Sequence, residues 1–379
     1  MKKKKILIVA HRWLPRYGGL QIFAYNLSKF LKSKGNEVTV ITSKEKGYVN
    51  KIPRGIKLIE ISASPFFYNK FSIPQPLFNP FKLFVNLKNE VKEADTIIIN
   101  DRYYFSSIIA SYYCKKFDKE NVVFLHTSIQ IYSGLKKYLY WINNLLGKYA
   151  LKNATIVAAL SSSVLEKVEE HYSLKFSRKY IINNFTSEIK SLNKQTSKKL
   201  KVLFVGRLTR SKGIDRIMDI ADAVKENKNI LFTIVGDGNQ ETTIKDTIKE
   251  RELKNILLMG RINSRKMIEK IYASSDVFIL IPRSPEGFSL STCDALLYSL
   301  PIIISNEVPF EKIEKEGAGY IVDPSDVKSI CQKIILLQEN IKKRNLMSKN
   351  SKKYALKYLH PNENKDLLLK MIMGGENAK

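Results

Sequence analysis

The chain has 379 residues, enough for two domains that each bury a core of their own. With 44% hydrophobic and 26% charged residues the composition is that of a folded protein, and no apolar run approaches the roughly 20 residues that cross a bilayer. The formal net charge at pH 7 is +28, which favours a polyanionic partner: nucleic acid, an anionic membrane surface or a phosphorylated substrate. A lysine-rich proteome would produce the same excess without any special partner.

The first residues and the cysteines together indicate a cellular compartment. The start, MKKKKILIVA, imitates a secretory signal, but its apolar run ends at His11-Arg12 and is too short for one. The cysteines are widely spaced and odd in number, at Cys114, Cys293 and Cys331. That pattern favours free thiols in a reducing compartment over a disulfide framework, so we expect a cytoplasmic protein.

The N-terminal half alternates between apolar runs typical of buried strands and stretches of helical periodicity. The predicted strands cover residues 4–10, 37–42, 96–100, 122–125, 155–160 and 180–182. Gly18 and Gly19 precede a predicted helix, but they do not form the G-x-G-x-x-G fingerprint, so a bound NAD is not indicated. His126 ends the strand 122–125 at its carboxyl side, where open α/β sheets bind ligands, although a lone histidine is as often structural.

Two segments of this half combine aromatic residues with lysines. Residues 64–88 carry prolines and phenylalanines but no acid, and 131–151 predict a basic aromatic helix. Such segments suit contact with a membrane surface. The alternative is that the rings of 64–88 pack into the domain core.

The pattern is interrupted once and then restarts. Residues 186–200 are polar, rich in lysine and without periodicity, which predicts a linker. Strands and helices alternate again after it, with strands predicted at 202–205, 230–235, 256–259, 276–280, 301–304 and 317–322. We therefore expect an α/β protein with two doubly wound domains, 1–185 and 201–355, and a C-terminal helical segment, 356–379, that could return to the first domain.

Four loops of the C-terminal half follow predicted strands and carry the candidate chemistry. Three hold glycine beside a charged residue: Gly206-Arg207 with Lys212-Gly213, Gly236-Asp237-Gly238, and Gly260-Arg261. Glycines let backbone approach a ligand, helix N-termini favour anions, and two fixed cations suit a diphosphate. The ordinary alternative is a solvated arginine and lysine on a strand–helix loop.

The fourth loop, SPEGFSLSTCDA at 284–295, adds two acids. Glu286 lies in the loop and Asp294 follows eight residues later, inside the next predicted helix. A carboxylate can accept two hydroxyls of a diol, so the pair could hold two parts of one ligand. Sugar hydroxyls, a diphosphate and a ribose together indicate a nucleotide sugar.

These motifs resemble those of the retaining glycosyltransferases of family four, over essentially the whole chain. The G-R-L-x(3)-K-G motif of that family is similar to 206–213, its G-x-G to 236–238, and its E-x(7)-E pair to Glu286 and Asp294. Gly18-Gly19 and His126 match its N-terminal glycine loop and its strand-terminal histidine. The resemblance implies the GT-B fold, in which two Rossmann-like domains face each other across a cleft.

The resemblance also implies an activity: retaining transfer of a hexose-type sugar from a nucleotide sugar, with UDP favoured over GDP, and no metal or other cofactor. The implied catalytic residues are His126, Arg207, Lys212 and Glu286. The implied donor-binding residues are Gly18, Gly19, Gly206, Gly236, Asp237, Gly238, Arg261, Gly287, Phe288, Ser289, Leu290 and Asp294. Arg207 and Lys212 would neutralise the diphosphate, Glu286 would hold the transferred sugar, and Asp294 the ribose.

The expected acceptor is a lipid-linked or cell-surface polysaccharide. This acceptor, the net charge and the aromatic segments together predict a peripheral position at the inner face of the cell membrane, in contact with anionic lipid and not with nucleic acid.

Two residues depart from the family pattern. Asp294 stands where the family usually has glutamate, and Ser299 stands where it usually has glycine. Two alternatives stay open: a GT-B epimerase or phosphorylase acting on sugar phosphates, and a basic nucleic-acid-binding protein. No recognition helix, zinc motif or stacking platform supports the latter.

Overall fold

The computed structural model describes residues 3–15, 18–66, 75–126, 136–182, 199–262, 264–359 and 361–373, without the side chains of 136–140 and 361–362. The chain divides into two compact units. The N-terminal unit comprises Met1–Phe185 and Asn362–Lys379, and the C-terminal unit comprises Thr186–Pro361.

The N-terminal unit is built on one mostly parallel sheet. Its strands are β1 (Lys5–Val9), β2 (Glu37–Glu45), β3 (Lys57–Ser64), β4 (Leu77–Phe78), β5 (Thr96–Asn100), β6 (Asn121–Leu125), β7 (Ile156–Ala159) and β8 (Lys179–Ile181). They run in the order β4-β3-β2-β1-β5-β6-β7-β8, and the β3–β4 pair is antiparallel. The helices are α1 (Gly19–Ser33), α2 (Pro80–Glu93), α3 (Phe105–Lys116), α4 (Lys136–Lys152) and α5 (Ser162–Tyr172).

The C-terminal unit repeats this architecture with a smaller, wholly parallel sheet. Its strands are β9 (Leu200–Val205), β10 (Ile230–Val235), β11 (Ile256–Gly260), β12 (Val277–Leu280), β13 (Ile302–Ser305) and β14 (Gly319–Val322). A 3₁₀ turn (Arg210–Lys212) is followed by α6 (Ile214–Ala223), α7 (Glu241–Glu250), α8 (Arg265–Ser274), α9 (Leu290–Leu297), α10 (Val327–Glu339) and α11 (Ile341–Tyr358), and α12 (Pro361–Met373) comes last. The strand order β11-β10-β9-β12-β13-β14 is the 3-2-1-4-5-6 order of the Rossmann fold.

The central strands are short and apolar because helices on both faces exclude water from them. In the N-terminal sheet β5, β6 and β7 are buried at every position, as is β12 in the C-terminal sheet. Parallel sheets of this kind need near-continuous apolar runs rather than alternation. The prediction of two doubly wound Rossmann-like α/β domains is confirmed.

Several boundaries differ from the predictions. The elements predicted from the sequence do not include β3 or α3. Strand β3 reads KLIEISAS, and its alternation of polar and apolar residues fits its partly exposed place near the sheet edge. Strand β9 begins at Leu200, within the predicted linker, because its apolar side chain is fully buried, while 183–198 lie outside the described residues.

The C-terminal segment breaks later than predicted. Helix α11 continues to Tyr358 and Pro361 begins α12, which suits a residue without a backbone N–H. From Asn362 onward the chain belongs with the N-terminal unit, where Lys4 Nζ donates to the carbonyl oxygen of Ile372 at 2.8 Å. Across the described part of the chain, no helix is both long and apolar enough to cross a membrane.

Candidate functional site

The C-terminal sheet reverses its strand order between β9 and β12, which are neighbours although they are far apart in sequence. Such a switch point leaves a crevice at the carboxyl ends of the strands, because the loops on either side run in opposite directions. The loop after β9 carries Arg207 and Lys212, and the loop after β12 carries Glu286. The fold therefore explains why these separate motifs meet.

Lys212 and Glu286 are in direct contact. The Lys212 ammonium donates to both carboxylate oxygens of Glu286, each at 2.6 Å. The lysine side chain is 22% exposed and the glutamate side chain 11%, so the pair is partly shielded from water. The Glu286 loop is fixed by a hydrogen bond from the Glu286 N–H to the carbonyl oxygen of Glu307 at 2.8 Å. Two of the four predicted catalytic residues thus lie together, with opposite charges.

Backbone hydrogen bonds join the loops that follow β9, β10 and β11. Leu208 N–H donates to Asp237 O at 2.7 Å, and Gly236 N–H donates to Gly260 O at 2.9 Å. A Cβ atom at Gly236 would lie 1.8 Å from the Gly206 carbonyl oxygen, and one at Gly238 would lie 2.3 Å from that of Leu208. These two glycines are therefore required by the packing of one loop on another, a reason that the sequence analysis did not foresee.

The predicted catalytic residue Arg207 and the predicted donor-binding residue Arg261 have different environments. The Arg207 side chain is exposed, and within the described residues no hydrogen bond or ion pair holds it. Arg261 donates to Asp237 at 3.2 Å and so links the β10 and β11 loops across their solvent-exposed side.

The loop that leads into α9 is ordered by its own side chains. Ser289 caps the helix, because its Oγ accepts the Thr292 N–H at 3.2 Å. The Phe288 ring lies 6.1 Å from the ring of Phe310 and packs against the core. Gly287 and Leu290 are half-buried beside them. These four predicted donor-binding residues surround the N-terminus of α9.

Asp294 has a partner that the sequence analysis missed. Arg265, the first residue of α8, donates from its two terminal nitrogens to Asp294 Oδ2 at 3.0 Å and Oδ1 at 3.3 Å. Burial raises the pKa of the Asp294 carboxyl, and the Arg265 guanidinium opposes this shift. Twenty-nine residues separate the two, and in the sequence Arg265 is one basic residue of a surface helix, so only the packing of α8 on α9 reveals the contact.

In the N-terminal unit, His126 follows β6 and is 4% exposed. Its ring lies 4.6 Å from the ring of Phe23 on α1, in an edge-on arrangement. Burial lowers the pKa of His126 to about 3, so the imidazole is neutral at physiological pH. Gly18 and Gly19 lie at the beginning of α1, where Gly18 occupies the N-cap position in an extended conformation.

A second buried histidine lies close to His126. His11, directly after β1, stacks on Tyr104 with ring centroids 3.6 Å apart, and the Gln21 amide lies 3.3 Å from its Nε2. The pKa of His11 is lowered by burial, by Arg12 and by His126. Among the described residues, His11 Nδ1 and His126 Nε2 are buried without a hydrogen-bond partner. In the sequence, His11 marks only the end of an apolar run.

Within the part of the chain that the structure describes, no three His, Cys, Asp or Glu side chains come together as a metal site. The predicted absence of a metal stays a prediction.

The chain matches two families of known proteins. Residues 17–187 match "Glycosyltransferase Family 4" and residues 185–354 match "Glycosyl transferases group 1", which together span both units. Each of the two units therefore carries a glycosyltransferase-family domain. Its fold is the GT-B fold, and an Anabaena protein, HepE, solved in complex with UDP, superposes with a TM-score of 0.78 at 15% identity over 98% of this chain and 100% of that one.

Two relatives extend along nearly the whole length of this glycosyltransferase. An uncharacterised glycosyltransferase of Methanocaldococcus jannaschii is 24% identical over 93% of this chain and 94% of the relative. The N,N'-diacetylbacillosaminyl-diphospho-undecaprenol alpha-1,3-N-acetylgalactosaminyltransferase of Campylobacter jejuni is 25% identical over 90% of this chain and 93% of its own.

Proposed function

We propose that this glycosyltransferase transfers a hexose-type sugar from a nucleotide sugar, a UDP-sugar in the first place and a GDP-sugar next, with retention of the anomeric configuration. The observation that carries the proposal is the Lys212–Glu286 pair at the switch point of the C-terminal sheet. The reaction needs two groups at the bond that breaks: a cation that binds the diphosphate and a carboxylate that binds the sugar hydroxyls. The UDP complex of the similarly folded HepE supports a UDP donor.

In the proposed reaction the acceptor hydroxyl attacks the anomeric carbon on the face from which the diphosphate departs. The bond between that carbon and the phosphate oxygen breaks, and the departing phosphate takes the proton of the attacking hydroxyl. Lys212 and the exposed Arg207 stabilise the negative charge that grows on the diphosphate, so no metal ion or other cofactor is required. Glu286 binds hydroxyls of the transferred sugar.

The remaining predicted residues bind the donor in this proposal. Asp294 accepts the ribose hydroxyls, and the linked Asp237 and Arg261 border the nucleotide. The amides at the N-terminus of α9 and at Gly18-Gly19 face anionic groups. His126 is neutral and buried, and among the described residues its Nε2 has no hydrogen-bond partner, so it is suited to a sugar hydroxyl rather than to a charged group.

We propose a lipid-linked or cell-surface polysaccharide as the acceptor. The diphospho-undecaprenol substrate in the name of the Campylobacter relative supports this choice. An enzyme with such an acceptor works at a membrane surface, so we propose peripheral contact with anionic lipid at the cytoplasmic face, and no role for nucleic acid.

One face of the N-terminal unit supports the membrane contact. Helix α3 packs against both α2 and α4. The three helices leave large apolar side chains exposed: Phe81, Phe84, Val85, Phe105, Tyr112, Trp141, Ile142 and Leu145. We call this set the aromatic face. Neither α3 nor α4 contains an acidic residue, and lysines flank the exposed rings. Apolar rings among lysines complement an anionic bilayer, which takes the rings into its interface and attracts the ammonium groups.

The described part of residues 64–88 has both buried and exposed apolar side chains. Phe78, Leu83 and Leu87 pack into the core, whereas Phe81 and Phe84 are exposed. Residues 67–74, and 131–135 of the other aromatic segment, lie outside the described residues.

The experiment that tests the function is a binding screen followed by a transfer assay. UDP, GDP and ADP are added to the protein and the shift of its melting temperature is measured, because a ligand that binds only the native state raises it. We expect stabilisation by UDP, and then transfer from a UDP-sugar to a polyprenyl-diphosphate glycan that continues in the presence of a chelator. Stabilisation by none of the nucleotides, together with stabilisation by short DNA or RNA, would overturn the proposal.

A further inference from the structure

The Arg265–Asp294 pair has a geometry that leaves part of the carboxylate available. Arg265 approaches both oxygens of Asp294 end-on, with one terminal nitrogen to each oxygen. A carboxylate has about four lone-pair positions, so a bidentate arginine takes one on each oxygen and leaves one on each. The two oxygens can therefore still accept hydrogen bonds from two neighbouring hydroxyl groups.

The arginine is itself held in place from the opposite side. Its Nε donates to Glu269 one turn further along α8, at 3.2 Å. Helices α8 and α9 are joined a second time where the Tyr272 hydroxyl donates to the Ser291 carbonyl oxygen at 3.2 Å. The guanidinium plane is thus fixed between two carboxylates on two connected helices.

Burial differs between the partners in a way that suits a ligand-binding carboxylate. The Asp294 side chain is 14% exposed and that of Arg265 is 48% exposed. A carboxyl group so far from water would protonate more easily without a cation, and a protonated carboxyl group accepts hydrogen bonds less well. Asp294 is also one methylene shorter than the glutamate it replaces, so its position depends more on how it is held.

We propose that Arg265 is the positioning residue of the ribose-binding carboxylate. Arg265 orients Asp294 so that both oxygens present a lone pair to the 2′- and 3′-hydroxyls of a ribonucleotide, and it thereby sets the preference of the enzyme for ribose over deoxyribose. This inference rests on the proposed function, because it assumes that the C-terminal unit binds a nucleotide.

The test compares the affinities of UDP and 2′-deoxy-UDP for the full-length protein by calorimetry. We expect the wild-type protein to favour UDP, and Arg265→Gln to weaken UDP binding by about 10-fold to 100-fold, as expected for loss of a hydrogen bond to a charged group. The affinity for 2′-deoxy-UDP should fall by a smaller factor, because that ligand keeps only the 3′-hydroxyl, so the preference for UDP shrinks. Arg265→Lys should restore only part of the discrimination, because an ammonium lacks the planar pair of donors that contacts both oxygens at once.

The matched control is Arg251→Gln. Arg251 also forms an ion pair with a neighbouring helix, to Asp219 at 2.9 Å, and is similarly exposed. The Arg251→Gln substitution should leave the affinities for UDP and 2′-deoxy-UDP unchanged. An Arg265→Gln protein that keeps the preference, or that loses UDP and 2′-deoxy-UDP affinity equally, would overturn the positioning role.

A different outcome of the same titration would overturn the proposed function. If the wild-type protein binds neither UDP nor GDP, the proposed function is wrong and the inference about Arg265 is wrong with it. Wild-type binding of UDP without any preference over 2′-deoxy-UDP leaves the donor site standing but overturns the inference.

Discussion

Lys212 contacts Glu286 through both carboxylate oxygens, at 2.6 Å each, across 74 residues of sequence. The contact exists because β9 and β12 are parallel neighbours, which brings the loops after them to the same edge of the sheet. The charges neutralise each other in the absence of a ligand. A bound diphosphate would compete with Glu286 for the lysine, and Glu286 would then be available to the sugar.

The Lys212–Glu286 contact predicts a large effect of Lys212→Met. We expect transfer to fall by about 10²-fold to 10³-fold, because one preorganised donor to the leaving group is lost. Rates are measured with a radiolabelled nucleotide sugar. Arg210→Met is the matched control, since Arg210 lies in the same 3₁₀ turn with its side chain 76% exposed. Near-wild-type transfer by Lys212→Met would refute the assignment of Lys212 to the diphosphate.

Much of the architecture could be predicted because its signals are local. Buried strands of parallel sheets are short apolar runs, and glycines mark the loops after β9, β10 and β11, so both Rossmann-like units follow from the sequence. The contacts of Asp294 with Arg265 and of His11 with its neighbours could not be predicted. They depend on which strands and helices become neighbours, and periodicity within a segment carries no information about that.

Ser299 shows how a departure from the family pattern acquires a physical meaning. It follows α9 with φ +59°, in the left-handed region, where the family usually has glycine. A side chain costs energy there, so Ser299→Gly should stabilise the C-terminal unit by about 0.5–1 kcal/mol. Ser329→Gly, in the first turn of α10, should instead destabilise it, because glycine is unfavourable in a helix. Denaturant unfolding followed by circular dichroism measures both, and a lower stability for Ser299→Gly would contradict the argument.

The aromatic face predicts binding to anionic vesicles that depends on both rings and salt. We expect the protein to co-sediment with phosphatidylglycerol vesicles at low ionic strength, and to be released progressively by salt. Combined replacement of Phe81, Phe84 and Trp141 by serine should abolish most of this binding. The control replaces Leu257, Leu346 and Leu356, which are exposed in the C-terminal unit, and should bind as wild type. Equal binding by the two variants would show that the aromatic face does not contact the membrane.

The two buried histidines predict how the N-terminal unit responds to acid. The pKa of His126 is lowered to about 3 by burial, whereas in the unfolded chain it is about 6.5. Between these values the unfolded state binds one more proton, so the free energy of unfolding falls as pH falls below 6.5, by up to about 1.4 kcal/mol per pH unit. The lowered pKa of His11 contributes in the same direction.

Tryptophan fluorescence can isolate this effect, because both tryptophans, Trp13 and Trp141, belong to the N-terminal unit. We expect His126→Asn to flatten the dependence of the urea midpoint on pH between about 6.5 and 4.5, the range in which the unfolded chain binds the extra proton. This holds whatever the effect of the substitution on stability at pH 7. His171→Asn, at an exposed position on α5, should change the slope much less. An unchanged slope in His126→Asn would mean that this imidazole is not held neutral in the folded chain, and would remove the basis for its proposed hydrogen bond to a sugar hydroxyl.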